Sequence, residues 1–133
     1  MKKWLLFRRA FTGLFSVSIL CLLYGFFVEP KMLRVRHVEA VSTDWQGAPL
    51  RVGLIADIHI GGMHMPPERV TKIVARMNEL APDIVLLAGD YVNGHTPLAD
   101  NPGDFNRAVS TGIAHLSKLS APQGSYAVIG NHD

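Results

Sequence analysis

Cysteine is almost absent. Cys21 is the single one in 133 residues, so the chain cannot close an intramolecular disulfide, and its thiol reports nothing about redox compartment. An excess of one charge is missing too. The formal net charge is +2, and four of the 13 basic residues (Lys2, Lys3, Arg8, Arg9) lie at the extreme N-terminus. The remainder is nearly neutral, which excludes a basic face for nucleic acid. No internal repeat, no low-complexity tract and no hydrolase nucleophile motif is found along the chain.

Charge is also missing from Ala10 to Val28, a 19-residue apolar run. That length crosses a bilayer core as one helix, with Trp4 and Tyr24 as interfacial rings. A cleavable secretory signal is the nearest competitor, but it needs a small-x-small site after the run. The residues there are Gly25-Phe26-Phe27-Val28-Glu29-Pro30, which are bulky, so an uncleaved anchor is favoured. Leu20 before Cys21 is a poor lipoprotein signal. Arg8-Arg9-Ala10-Phe11 matches part of a twin-arginine export signal, with Phe7 where a small hydroxyl residue is usual. Lys31, Arg34 and Arg36 follow the run and thin the charge bias across it. The resulting expectation is a single-pass membrane protein, held by residues 10–28, with its folded part outside the cytoplasm.

Three regions follow: an anchor or export signal over 1–30, a linker and first strand over 31–49, and a folded unit over 50–133. Leu33–Val41, rich in Val and Arg, reads as the first strand. Leu50–Ala56, Asp83–Ala88 and Tyr126–Ile129 read as strands, the first a continuous apolar run after Arg51, as in a strand covered on both faces. Between them, a helix starts at Pro66 or Pro67, with Val70, Ile73, Val74, Met77 and Leu80 on one face, and ends before Pro82. Tyr91–Asp104 is a loop, and Asp104 caps a helix over Phe105–Leu119 with Val109, Ile113 and Leu116 inward. Alternation of strand and helix gives an α/β unit. At about 85 residues its core is modest, so alone it is expected to be marginal or unfolded.

Each apolar strand ends on a polar run. Asp57-Ile58-His59 follows the first, Gly89-Asp90 the second, and Gly130-Asn131-His132-Asp133 the third. In a parallel sheet the carboxyl ends of strands share one edge, where ligands bind. Residues far apart in sequence would therefore meet as a cluster of carboxylates, imidazoles and an amide. Hard oxygen mixed with imidazole nitrogen suits divalent metals, and two ions about 3.5–4 Å apart form a phosphoester-cleaving centre. Asp57 and His59, two apart on an extended end, would point the same way and grip one ion. Gly89 lets the backbone come close beside Asp90. Taken singly, these pieces also read as capping or turn residues; the ordered set of three is what carries the signal.

The ordered runs Asp-x-His, Gly-Asp and Gly-Asn-His-Asp resemble the calcineurin-like metallophosphoesterase family, over roughly Leu50–Asp133. The resemblance implies an α/β fold in which two sheets form a sandwich flanked by helices. It implies two divalent ions (Mn, Fe, Zn or similar), with Asp57 and His59 on the first, Asp90 bridging, and Asn131 on the second. It makes His132 the histidine that stabilises the phosphoryl group or protonates the leaving oxygen, and Asp133 the residue that orients His132. The reaction implied is hydrolysis of a phosphoester by a hydroxide that the two metals activate. Its substrate would be a phosphodiester or a lipid-linked phosphate.

The family carries further metal-binding histidines later in its sequence. The expectation is therefore a longer parent enzyme and an inactive fragment. The alternative is a catalytically inactive, membrane-tethered binding or scaffolding domain with a relict metal site. His37, His64, His95 and His115 are left as strand, loop or helix residues, and Glu68, Asp100 and Asp104 as solvated or capping charges.

Overall fold

A computed structural model describes residues 2–94 and 102–133; His95 and Asp100 lie outside them. The chain divides into two compact units, Met1–Val38 and Glu39–Asp133.

In the first unit, helix α1 spans Lys2–Leu23. It widens by one residue per turn over Tyr24–Val28, then tightens into a 3-10 turn over Glu29–Lys31, where Pro30 offers no N–H. The 30 residues from Lys2 to Lys31 are long and apolar enough to cross a membrane. At 1.5 Å per residue they reach about 45 Å, against a hydrocarbon core of about 30 Å. Thr12 Oγ1 donates to the Arg8 carbonyl at 2.9 Å and Ser18 Oγ to Leu14 at 3.0 Å, so these hydroxyls need no water. Arg8 lies over the Trp4 ring at 4.7 Å.

Residues 32–42 have no regular structure. The strand expected over Leu33–Val41 is not formed. Among the described residues no strand pairs with it, and Val38 is 86% exposed.

The second unit is built as expected from alternating strands and helices. Strands β1 (Val52–Ile55), β2 (Ile84–Leu87) and β3 (Ser125–Ala127) form one parallel sheet in the order β1-β2-β3. Helix α2 (Pro67–Glu79) connects the first two and α3 (Pro102–Leu116) the last two. The α2 start follows from Pro67, whose missing N–H costs nothing at a first turn. Its end is fixed by Arg51, whose guanidinium donates to the carbonyls of Leu80 and Ala81 at 3.1 and 3.2 Å. Helix α3 begins at Pro102, so Asp104 sits within its first turn rather than at its cap.

Ile55, Ile58, Ile60, Val70, Val74, Val85 and Leu87 form the core, with Met77, Val109 and Leu116 packed against it. Ile113, expected inward, is exposed; Gly112 takes the buried place on α3. The first strand's apolar run suits cover on both faces, yet β1 alternates, and β2 does the same. Gly53, Ile55, Val85 and Leu87 are buried, while Leu54, Leu86 and Tyr126 form an open apolar row. Within this unit the described residues form one sheet, and α2 and α3 pack on its buried face.

Register decides where the site forms. Ile55 pairs with Leu87, and Leu87 with Ala127. The three polar runs therefore leave the sheet at the same level.

Candidate metal centre

Beyond the strands the first two segments stay zipped together. Asp57 N–H donates to the Gly89 carbonyl at 3.2 Å, His59 N–H to Asp90 at 3.0 Å and Ile60 N–H to Tyr91 at 2.7 Å. Between these rungs the chain is kinked rather than extended. Asp57, His59 and Asp90 have φ of 53°, 48° and 54°, and Ala81 is the other described non-glycine residue with positive φ. An L-residue in this region costs roughly 1–2 kcal/mol. Such conformations persist where surrounding contacts over-determine them, and they gather at functional sites. The kinks have a visible effect here. Ile58 is driven into the core while its two polar neighbours stay out. Asp57 and His59 do not lie on the extended end expected for them; their shared side arises from two left-handed residues around a buried isoleucine.

Asp57, His59 and Asp90 each offer a ligand atom, and these atoms lie within 4.8 Å of one another. His59 Nε2 stands 4.0 Å from Asp90 Oδ2. The far ring nitrogen, Nδ1, is 3.3 Å from the Val92 carbonyl. A carbonyl can only accept, so in this contact Nδ1 is the donor, and Nε2 is the ring nitrogen on the carboxylate side. Two carboxylates and an imidazole nitrogen at this spacing fit a divalent cation. Nothing in the residue pattern identifies Val92 as this partner.

The third run joins the same edge. The His132 N–H donates to Asp90 Oδ1 at 3.1 Å, and the His132 ring meets that of His59 edge-on, with centroids 5.4 Å apart. Asn131 lies exposed in the same turn. Close approach makes two glycines necessary. A Cβ on Gly89, whose φ is 87°, would fall 2.6 Å from Gly130 N, and one on Gly130 would strike Asp90 Oδ1.

Asp133 has different partners from the imidazole expected for it. Its carboxylate accepts four backbone N–H groups: Tyr91 at 2.6 Å, Gly130 at 2.8 Å, Asp90 at 2.9 Å and Val92 at 3.2 Å. Desolvation raises its pKa, but the four N–H groups outweigh that and hold it below the ordinary 3.8. The group is therefore an anion at neutral pH. The Tyr91 hydroxyl, within 3.1 Å of the Leu87 carbonyl and 2.8 Å of Val128, ties β2 to the chain beyond β3. Nothing in the sequence pattern marked Tyr91 for that role.

Residues 50–133 match the calcineurin-like phosphoesterase family. A transmembrane protein with a metallophosphoesterase domain from Danio rerio is 28% identical across 96% of the chain. A UDP-2,3-diacylglucosamine pyrophosphatase of Chlamydia trachomatis is 28% identical across 92%, and a phosphodiesterase of Escherichia coli 31% identical across 83%. The chain spans 27%, 35% and 37% of the lengths of these three relatives. No solved structure matches it. A sheet edge that collects these three runs, together with a family match over most of the chain, places the protein in the calcineurin-like phosphoesterase family.

Proposed function

We propose that this chain carries the metal-gripping part of a membrane-anchored phosphoesterase, acting on a phosphodiester or on a lipid-linked phosphate. The observation that carries this reading is the meeting of Asp57, His59 and Asp90 donor atoms within 4.8 Å at the sheet edge. These three would hold one divalent ion, and Asp90 with Asn131 would contribute to a second. When bound, such ions supply Lewis acidity and a water acidic enough to ionise near neutral pH.

The remaining work falls to the chain. His59, with Nδ1 held by the Val92 carbonyl, keeps Nε2 turned to the site. His132, ring to ring with His59, can donate to a phosphoryl or leaving-group oxygen. The apolar helix Lys2–Lys31 would bring the site to a bilayer, with the folded part outside the cytoplasm. A lipid-linked substrate fits that tether, and one relative is named for cleaving a diacylated sugar nucleotide.

The test uses the membrane-bound protein. Metal content is measured, and phosphomonoesters, phosphodiesters and pyrophosphates, with and without acyl chains, are offered with and without chelator. Chelator-sensitive hydrolysis of one class is expected. Bound metal with no hydrolysis of any class would sink the enzymatic reading.

A further inference from the structure

We propose that Asp133 is a positioning residue whose carboxylate holds the backbone of Asp90 in the left-handed turn that presents Asp90 to a metal ion. The inference rests on the metal-centre reading above and goes beyond it, because Asp133 is assigned a part that acts through the backbone of Asp90.

A simpler account is that Asp133 merely closes its own turn. The bond from Gly130 N–H, three residues away, would suffice for that. Three further bonds come from Asp90, Tyr91 and Val92, which are 43, 42 and 41 residues away. They are consecutive, and they begin at the residue with φ 54°. Successive N–H groups converging on one anion form a nest, and nests require alternating handedness of the backbone. The anion is here supplied by the chain itself. Hydrogen bonds to a charged acceptor are stronger than neutral ones, so four of them can over-determine a strained residue.

The arrangement is reciprocal. Asp133 receives the amide of Asp90, and Asp90 Oδ1 receives the amide of His132, leaving Asp90 Oδ2 turned to His59. Release of the Asp133 clasp would let the Asp90 peptide rotate to right-handed backbone. The Asp90 carboxylate would then leave both His132 N–H and the metal position. Carboxylates that sit behind a ligand typically change metal affinity 10–100-fold when lost.

The experiment compares the full chain in detergent with Asp133→Asn and Asp90→Asn, using Mn²⁺ alone as probe and the free-ion magnetic resonance signal as readout. Amide hydrogen exchange is recorded on the metal-free proteins. For Asp133→Asn, Mn²⁺ affinity should fall at least tenfold. Exchange should rise at residues 90–92 while Gly53–Ile55 and Val85–Leu87 stay protected. Affinity within twofold of the parent overturns the inference, and the metal centre survives if Asp90→Asn still loses the ion. Mn²⁺ binding that is absent from the parent, or unchanged in Asp90→Asn, overturns the metal centre itself. If Asp133→Asn does not fold, the metal-free parent decides. Amides 90–92 exchanging as fast as an open chain overturn the inference, and protected amides uphold it.

Discussion

The backbone N–H of His132 donates to Asp90 Oδ1 at 3.1 Å while Asp90 Oδ2 faces His59 Nε2 at 4.0 Å. One carboxylate is thus shared between the third run and the first. Asp90→Asn separates its two tasks. The amide oxygen still accepts from His132, so the turn is kept, but the negative charge and the second acceptor oxygen are lost. Under the proposed function, metal-dependent phosphoester hydrolysis by the protein should fall at least about 100-fold, as for loss of a ligand rather than of a supporting group. Circular dichroism should be unchanged. Near-normal turnover would overturn the assignment of Asp90.

Gly130→Ala tests close approach without touching a donor atom. The added methyl would strike Asp90 Oδ1, so either Asp90 or the turn must move. Overpacking of this kind costs about 1–3 kcal/mol. In a domain of this size that lowers the melting temperature by roughly 4–8 °C per kcal/mol. Mn²⁺ affinity should weaken with it. A variant that binds Mn²⁺ like the parent would show that Oδ1 can shift freely.

The order of strands and helices was legible from apolar runs and punctuating prolines, because each element's period matches its buried face. Asp57, His59, Asp90 and His132 were legible as strand-end residues, and a parallel sheet brings such ends together. The left-handed backbone at Asp57 and His59 was not legible. It depends on Ile58 being drawn into a core assembled from α2, β2 and α3. The partners of Asp133 were hidden for a related reason. They are amides, which every residue carries, and only the register between β2 and β3 selects those of 90–92. Leu33–Val41 looked like a strand by composition, but pairing needs a neighbour that composition does not provide.

The core offers a sharper test of the fold. Ile60 is fully buried, and its N–H spans to the Tyr91 carbonyl at 2.7 Å. Ile60→Ala keeps that rung and deletes the side chain, at a cost of about 2–5 kcal/mol. Against a total of roughly 5–15 kcal/mol, this removes a large share of the second unit's stability and should lower its urea midpoint clearly. Val38→Ala, at an exposed position, should stay within about 0.5 kcal/mol of the parent. Urea melts followed by circular dichroism compare the two. Equal midpoints would show that Ile60 is not part of a cooperative core.

The membrane segment is testable at one position. Ile19 is the midpoint of the uncharged run from Ala10 to Val28. An arginine at the centre of a spanning helix costs about 2.5–3.5 kcal/mol. Snorkelling recovers part of that near a helix end, but position 19 lies too far from either boundary for the side chain to reach water easily. Membranes from cells expressing the chain are washed with alkaline carbonate. The parent and Val41→Arg should stay in the pellet, since position 41 lies beyond the helix. Ile19→Arg should shift toward the supernatant or be degraded. Release of the parent itself by carbonate would mean that the helix lies on a surface or is removed, and the tether would have to be abandoned.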